Sequence, residues 1–224
     1  VVVPNPDLKP ETAYNAELGS RMDLGRLQLD LSAYYTYLSD ALVRRDFSLN
    51  GQTEIDYRGE PSRVQAIQNA AFAEVYGLEA GAKMTFSRQL HFKGQVSIVE
   101  GEEEQDDGSR APLRHAAPLF ANAHLVWENA TLRLDLFSEY NAAISNEDLA
   151  PSEQGKAYLY AIDSNGNPYS PEWYTLNFTA QYNFGRNWLA TASVENFTDQ
   201  RYRTYSSGIA AAGRNLILAL RYSF

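Results

Sequence analysis

Apolar and polar residues alternate along most of this chain with a period of two, which predicts strands whose two faces meet different surroundings. Tyr14, Ala16, Leu18 and Met22 share one face, while Asn15, Glu17 and Arg21 take the other. Beyond Asp23-Leu24-Gly25, the residues Leu27, Leu29, Leu31, Ala33, Tyr35 and Tyr37 alternate with Arg26, Gln28, Asp30, Ser32, Tyr34 and Thr36. The pattern resumes with Tyr76, Leu78, Ala80, Ala82, Met84 and Phe86 against Gly77, Glu79, Gly81 and Lys83. It continues with Leu90, Phe92, Val96 and Ile98 against His91, Lys93, Gln95 and Ser97. Two further strands follow, with Ala121, Ala123, Leu125 and Trp127 and then Leu132, Leu134, Leu136 and Tyr140 on their dry faces. The clearest run is Tyr174, Leu176, Phe178, Ala180, Tyr182 and Phe184, interleaved with Thr175, Asn177, Thr179, Gln181 and Asn183. Trp188, Ala190, Ala192 and Val194 form the next dry face, and Leu216, Leu218, Leu220, Tyr222 and Phe224 form the last.

The connections sort into two kinds. Those at Asp23-Leu24-Gly25, Ser87-Arg88-Gln89, Asn129-Ala130 and Gly185-Arg186-Asn187 have the length of tight hairpin turns. The alternate ones, roughly 39–68, 101–117, 142–172 and 196–213, are long and rich in Gly, Pro, Asn, Asp and Ser. A soluble sandwich has no reason to collect its long loops at one end. An outer-membrane barrel does, with short periplasmic turns and long extracellular loops. The charges on the second face point the same way, because burying them in a small dry core would be prohibitive. They call for a wet lumen or a polar plug. The fold class expected is therefore all-β, a transmembrane antiparallel β-barrel. About nine strands are expected. An odd antiparallel set cannot close on itself, so the chain reads as the C-terminal portion of a larger barrel, with residues 4–10 ending a preceding extracellular loop.

Composition narrows the picture further. The 15 Tyr, 10 Phe and 3 Trp suit aromatic girdles at two membrane interfaces. No apolar run is long enough for a transmembrane helix. Without Cys, disulfides and thiolate metal sites are excluded. A net charge of −9 argues against nucleic acid as a partner. The chain opens on Val1-Val2-Val3 without an export signal, which is expected to be cleaved or to lie upstream.

Three stretches resemble the TonB-dependent outer-membrane receptors. Asn5-Pro6-Asp7-Leu8-Lys9-Pro10-Glu11-Thr12 is similar to that family's loop-to-strand segment. Val194-Glu195-Asn196-Phe197-Thr198-Asp199-Gln200-Arg201-Tyr202 resembles its segment near the end of the barrel. Gly213-Arg214-Asn215, running to Tyr222-Ser223-Phe224, resembles its closing strand. Arg110-Ala111-Pro112-Leu113 with Pro118 looks like a degenerate form of another such segment. The resemblance implies that residues 1–224 are the C-terminal part of a 22-stranded, plugged barrel whose plug domain and first strands lie outside this chain. It also implies a multi-pass protein of the cell outer membrane that imports a scarce nutrient: an iron chelate, haem, cobalamin or an oligosaccharide. Transport would be energised by the TonB complex acting on the plug. Outer-membrane lipid, lipopolysaccharide and the barrel assembly machinery are the other expected partners. A passive porin is the alternative, followed by a barrel-embedded hydrolase.

No enzyme activity, cofactor or metal site is expected, since no nucleophile elbow is present and His91, His115 and His124 are scattered. The acidic run Glu102-Glu103-Glu104-Gln105-Asp106-Asp107 does not match a calcium loop and reads as a solvated loop. Ligand-binding candidates are Tyr158, Tyr160 and Tyr169 with Asp163, Asn165 and Asn167, where rings stand beside amides and a carboxylate. The competing expectation is that these rings pack the loop against the barrel rim. Arg44 and Arg45 could meet an anionic ligand, lipopolysaccharide phosphates or local acids. Tyr222 and Phe224 are the expected assembly signal.

Overall fold

The computed structural model describes residues 1–105 and 107–224. In chain order these form β1 (Val2–Val3), β2 (Thr12–Asp23), β3 (Leu27–Asp46), β4 (Glu54–Tyr57), β5 (Glu60–Arg63), β6 (Gln65–Thr85), β7 (Leu90–Glu104) and β8 (Arg110–Pro112). Then come β9 (Phe120–Glu128), β10 (Leu132–Asn141), the single-turn helix α1 (Pro151–Gln154), β11 (Ala161–Ile162), β12 (Pro168–Tyr169), β13 (Trp173–Phe184), β14 (Trp188–Glu195) and β15 (Asn215–Tyr222). Nine strands follow one another along a single path, β2-β3-β6-β7-β9-β10-β13-β14-β15, and each long pair is antiparallel. Among the described residues no helix is long and apolar enough to cross a membrane.

Register carries the alternation from strand to strand. Leu18 stands opposite Ala33, Ala33 opposite Leu78, and Leu78 opposite Ile98. Farther along, Leu125, Leu136, Phe178 and Val194 pair in succession, and Val194 pairs with Leu216. The dry faces of all nine strands therefore merge into one apolar surface. That surface is open, with Leu18 78% and Leu218 73% exposed. Its exposed apolar residues run on from strand to strand rather than standing singly, and each such Leu gains about 2 kcal/mol on leaving water for lipid. Aromatic residues edge it at both ends. Tyr182, Phe184, Trp188, Tyr222 and Phe224 form a chain of rings 4.8–6.3 Å apart at the short-turn end. Tyr35, Tyr76 and Tyr140 lie toward the long loops, donating to Glu74, Glu100 and Glu172 at 2.8, 3.0 and 3.0 Å.

The opposite face is wired with charge. Arg21 pairs with Asp30, Arg133 with Glu128 and Asp135, and His124 with Asp135 at 3.0 Å. Thr179 and Ser193 hydroxyls meet at 2.9 Å. Glycine keeps one spot on this face passable: a Cβ at Gly77 would collide with the Tyr34 ring.

The tight turns close by side-chain capping. The Asn129 Oδ1 accepts the amides of Thr131 and Leu132, the Ser87 hydroxyl accepts those of Gln89 and Leu90, and Gly25 and Gly185 take positive φ. At the other end the strands run farther than the sequence pattern predicts. A membrane needs about ten residues per strand, whereas β3 has 20 and β6 has 21. Their pairing passes a bulge between Leu38 and Ala41 and continues to Asp46 and Gln65, so the first long loop shrinks to residues 47–64 and itself contains the β4–β5 hairpin. Glu102, Glu103 and Glu104 belong to β7 rather than to a loop, with Arg110 on β8 bonded to Glu102 and Glu74. Asp106 of the acidic run lies outside the described residues.

Candidate functional site

The long-loop end is built from the same stretches that the sequence singles out. Where β3 bulges, Asp40 takes a φ of 54°, and beyond the second register shift the Leu42 amide turns to a side chain. The Glu11 carboxylate accepts that amide at 2.6 Å. Asn69 bonds the Lys9 amide and donates to the carbonyls of Lys9 and Asp40, while Asn5 donates to Ile67. The residues from Asn5 to Glu11 thus pin the incoming chain along β3 and β6.

A second node closes β14. Asn196 is buried with φ 47°, a conformation Asn tolerates better than most residues. Its side chain accepts the Gln200 amide at 2.9 Å and donates to the carbonyls of Gln200 and Ala212 at 2.8 and 3.1 Å. Its own amide donates to the Asn177 side chain. Asp199 accepts the Arg214 amide at 2.8 Å, and a Cβ at Gly213 would come within 2.7 Å of that carboxylate. This wiring delivers Tyr202 onto Trp173, with ring centroids 4.3 Å apart. Burial, then the charges of Glu139 and Glu195, hold the Tyr202 hydroxyl above its ordinary pKa.

A third node sits in α1. The Glu153 side chain is fully buried, and its carboxylate accepts from Arg114 at 2.7 Å, Lys156 at 2.6 Å, Tyr160 at 2.5 Å and Ser206 at 3.3 Å. Burial opposes its ionisation, but these donors win and hold its pKa at about 2. Burial and the bond to Glu153 push the Tyr160 hydroxyl in the other direction, upward. Ile144, Leu149 and Tyr160 form a small core around the node, with Leu159 and Tyr205 against it.

Beside this core lies a cleft of about 310 Å³ between the loops 142–172 and 196–214. Leu159, Tyr160, Trp173, Arg201, Tyr202 and Arg203 line it. Arg203 donates to the carbonyls of Tyr158 and Leu159, whereas Arg201 is exposed with no acidic partner among the described residues. The cleft can offer stacking rings, one free guanidinium and an apolar wall. Among the described residues no group of three or more His, Asp or Glu is placed to hold a metal.

The residues singled out in the sequence take different places. Tyr158 is 73% exposed at the rim, while Tyr160 is 7% exposed and commits its hydroxyl to Glu153. Asp163 caps the β11–β12 turn by accepting the amides of Asn165 and Asn167, both at 2.8 Å, around Gly166 at φ 85°. Tyr169 lies on β12 opposite Ala161, half-buried. Arg44 and Arg45 stand on the extension of β3, where neighbours point to opposite faces, and Arg45 donates to the Gln105 carbonyl at 3.0 Å. Tyr222 lies in β15 opposite Trp188 with Phe224 beyond it. Trp173, Arg201, Tyr202 and Glu153 were not foreseen as site residues. Arg201 and Tyr202 lie inside a stretch the sequence already marks. Glu153 carries no recognisable local signal, because two of its partners, Arg114 and Ser206, are 39 and 53 positions away.

Residues 1–197 match the family described as TonB dependent receptor-like, beta-barrel. The chain belongs to that family. It is thus an outer-membrane protein that crosses the bilayer as β-strands of a TonB-dependent receptor barrel. The iron-regulated outer membrane virulence protein of Vibrio cholerae serotype O1 is 25% identical over 221 residues, covering 98% of this chain and 32% of that protein. The siderophore receptor PirA from Acinetobacter baumannii superposes with a TM-score of 0.74 at 18% identity, over 100% of this chain and 33% of PirA. The FrpB iron transporter from Neisseria meningitidis (F3-3 variant) does so with a TM-score of 0.73 at 19% identity, over 100% of this chain and 33% of FrpB. The chain spans about a third of the length of the relatives it matches.

Proposed function

We propose that the full-length protein is a receptor that imports an iron chelate across the outer membrane, with energy delivered by TonB to a plug domain in the lumen. The plug and the first strands of a 22-stranded barrel would come from residues outside these 224. What carries the reading is the sorting of side chains across nine strands, apolar toward lipid and charged toward the lumen, in a member of this receptor family. The names of its relatives, an iron-regulated outer-membrane protein and an iron transporter, favour iron over haem, cobalamin or a sugar. The family's members are receptors and transporters, and the role is accordingly capture and passage rather than catalysis.

Capture falls to the rim in this reading. The exposed Tyr158 and Arg201, beside the stacked Trp173 and Tyr202, would meet the ligand, while Tyr160, Asp163, Asn165, Asn167 and Tyr169 hold the loop that presents them. Arg44 and Arg45 would meet anionic groups of ligand or lipopolysaccharide farther along the rim. The test supplies iron-55 as a ferric catecholate, a ferric hydroxamate and haem to cells expressing the full-length receptor. Saturable uptake of one of the two ferric chelates rather than of haem, stopping when the proton gradient is collapsed while surface binding is retained, is the expected result. Uptake that neither saturates nor needs the gradient would replace this reading with a passive porin.

Tyr222 and Phe224 would serve as the assembly signal, since they end a continuous aromatic edge on the lipid face. Deleting Phe224 should leave export intact and sharply lower the amount of heat-modifiable barrel. Unchanged assembly would remove that role.

A further inference from the structure

The loops 107–119, 142–172 and 196–214 leave the sheet from different strand pairs, yet each sends a group to one carboxylate. Arg114 comes from the first, Lys156 and Tyr160 from the second, and Ser206 from the third. Glu153 itself is 0% exposed, so its carboxylate depends on these donors rather than on water while they are in place. A buried charge is tolerable only while it is well paired and bonded, which makes the set of contacts cooperative: loss of one donor weakens the case for the others. Around this centre the second and third loops also touch. The Tyr205 ring lies 6.3 Å from Tyr160. The side chain of Leu159 sits 3.3 Å from where a Cβ on Gly208 would stand. Ser206 reaches Glu153 from a φ of 57°, a conformation costly for a residue other than Gly and sustained only where the surroundings hold it.

We propose that Glu153 couples these three loops into a single unit, so that both walls of the cleft and the neighbouring 107–119 loop shift together rather than one at a time. Its consequence for ligand capture rests on the function proposed above, whereas the coupling does not. Loop motion is ordinarily independent and local. Here a change in any one loop would have to break or drag the contacts of the other two.

The experiment places nitroxide pairs in the full-length receptor in outer-membrane vesicles and measures distances by pulsed electron paramagnetic resonance. Ala117, Ser164 and Ile209 are exposed positions, one in each loop, and these 224 residues contain no Cys to compete for label. The deciding pair is Ala117 with Ile209, because neither lies in the loop that carries Glu153. Glu153→Gln removes the charge with little change of shape and should broaden that distribution at least two-fold while the amount of barrel stays constant. Glu153→Asp keeps the charge and should remain nearer to the parent. Arg114→Gln leaves the 142–172 loop intact and should likewise broaden both pairs that include Ala117. An unchanged Ala117–Ile209 distribution in Glu153→Gln, with broadening confined to pairs that include Ser164, would overturn the proposal. So would an Arg114→Gln protein in which every distance matches the parent.

Discussion

Replacing Asn196 by Ala should destabilise the barrel more than any surface change of similar size. Three side-chain hydrogen bonds disappear, at about 1 kcal/mol each, and the Gln200 amide and the carbonyls of Gln200 and Ala212 are left without that partner where water is scarce. Ala must also hold the φ of 47° that Asn accepts, which adds about 1 kcal/mol. Together the loss is about 4 kcal/mol, near the upper end for a single substitution. Asn196→Gly separates the two contributions, since Gly takes positive φ freely but restores no bond; about 3 kcal/mol of the loss should persist. Urea unfolding of the full-length receptor in lipid vesicles, followed by loss of heat-modifiability, reads both variants. If Gly recovers stability to within 1 kcal/mol of the parent, backbone strain rather than the hydrogen-bond node governs this site, and the reasoning fails.

Acid should loosen the loops through Glu153. Its folded pKa of about 2 lies below the ordinary 4.5, so its contribution is fully present above about pH 4.5 and is lost as pH falls toward 2. Arg114, Lys156, Tyr160 and Ser206 face this carboxylate, and burial with the neighbouring Glu153 holds the Tyr160 and Tyr205 hydroxyls above their ordinary range. The loss amounts to about 3 kcal/mol, and pepsin should cut the 142–172 loop progressively across that window in the parent; a pH-independent rate of cleavage, after allowing for the enzyme's own profile, would count against it. Leu218→Arg, on the lipid face, should cost about 2–4 kcal/mol in the same urea assay, whereas Ala219→Arg on the lumen face should cost clearly less. Equal costs would contradict the assignment of faces.

The faces of the strands are legible because lipid imposes one chemistry on every second residue between Leu27 and Tyr37 or between Tyr174 and Phe184. Beyond the bilayer that constraint ends. From Ala41 to Asp46 and from Gln65 to Asn69 the surroundings are mixed, with Ala41 and Ala66 buried while Leu42 and Arg44 are exposed, so the strands continue without an apolar–polar alternation and the sequence reads as loop. The loops hide their contacts for another reason. Asp163, Asn165, Gly166 and Asn167 have the composition of a binding loop and of a tight turn alike, and only the amides pointing at the Asp163 carboxylate reveal the turn. Asn196 is visible as part of a family segment, but its role depends on Gln200, Ala212 and Asn177 meeting it in space. Glu153 depends on residues from two other loops and is invisible until they are assembled.

The most direct test of the account is which face of the sheet touches lipid. Single Cys residues at Leu136, Phe178 and Leu218, and at Asp135, Gln181 and Ala219, would carry a fluorophore in the full-length receptor reconstituted with nitroxide-labelled lipids. The account predicts strong quenching at the first three positions and weak quenching at the second three. Quenching of the second set, or equal quenching of both, would contradict it.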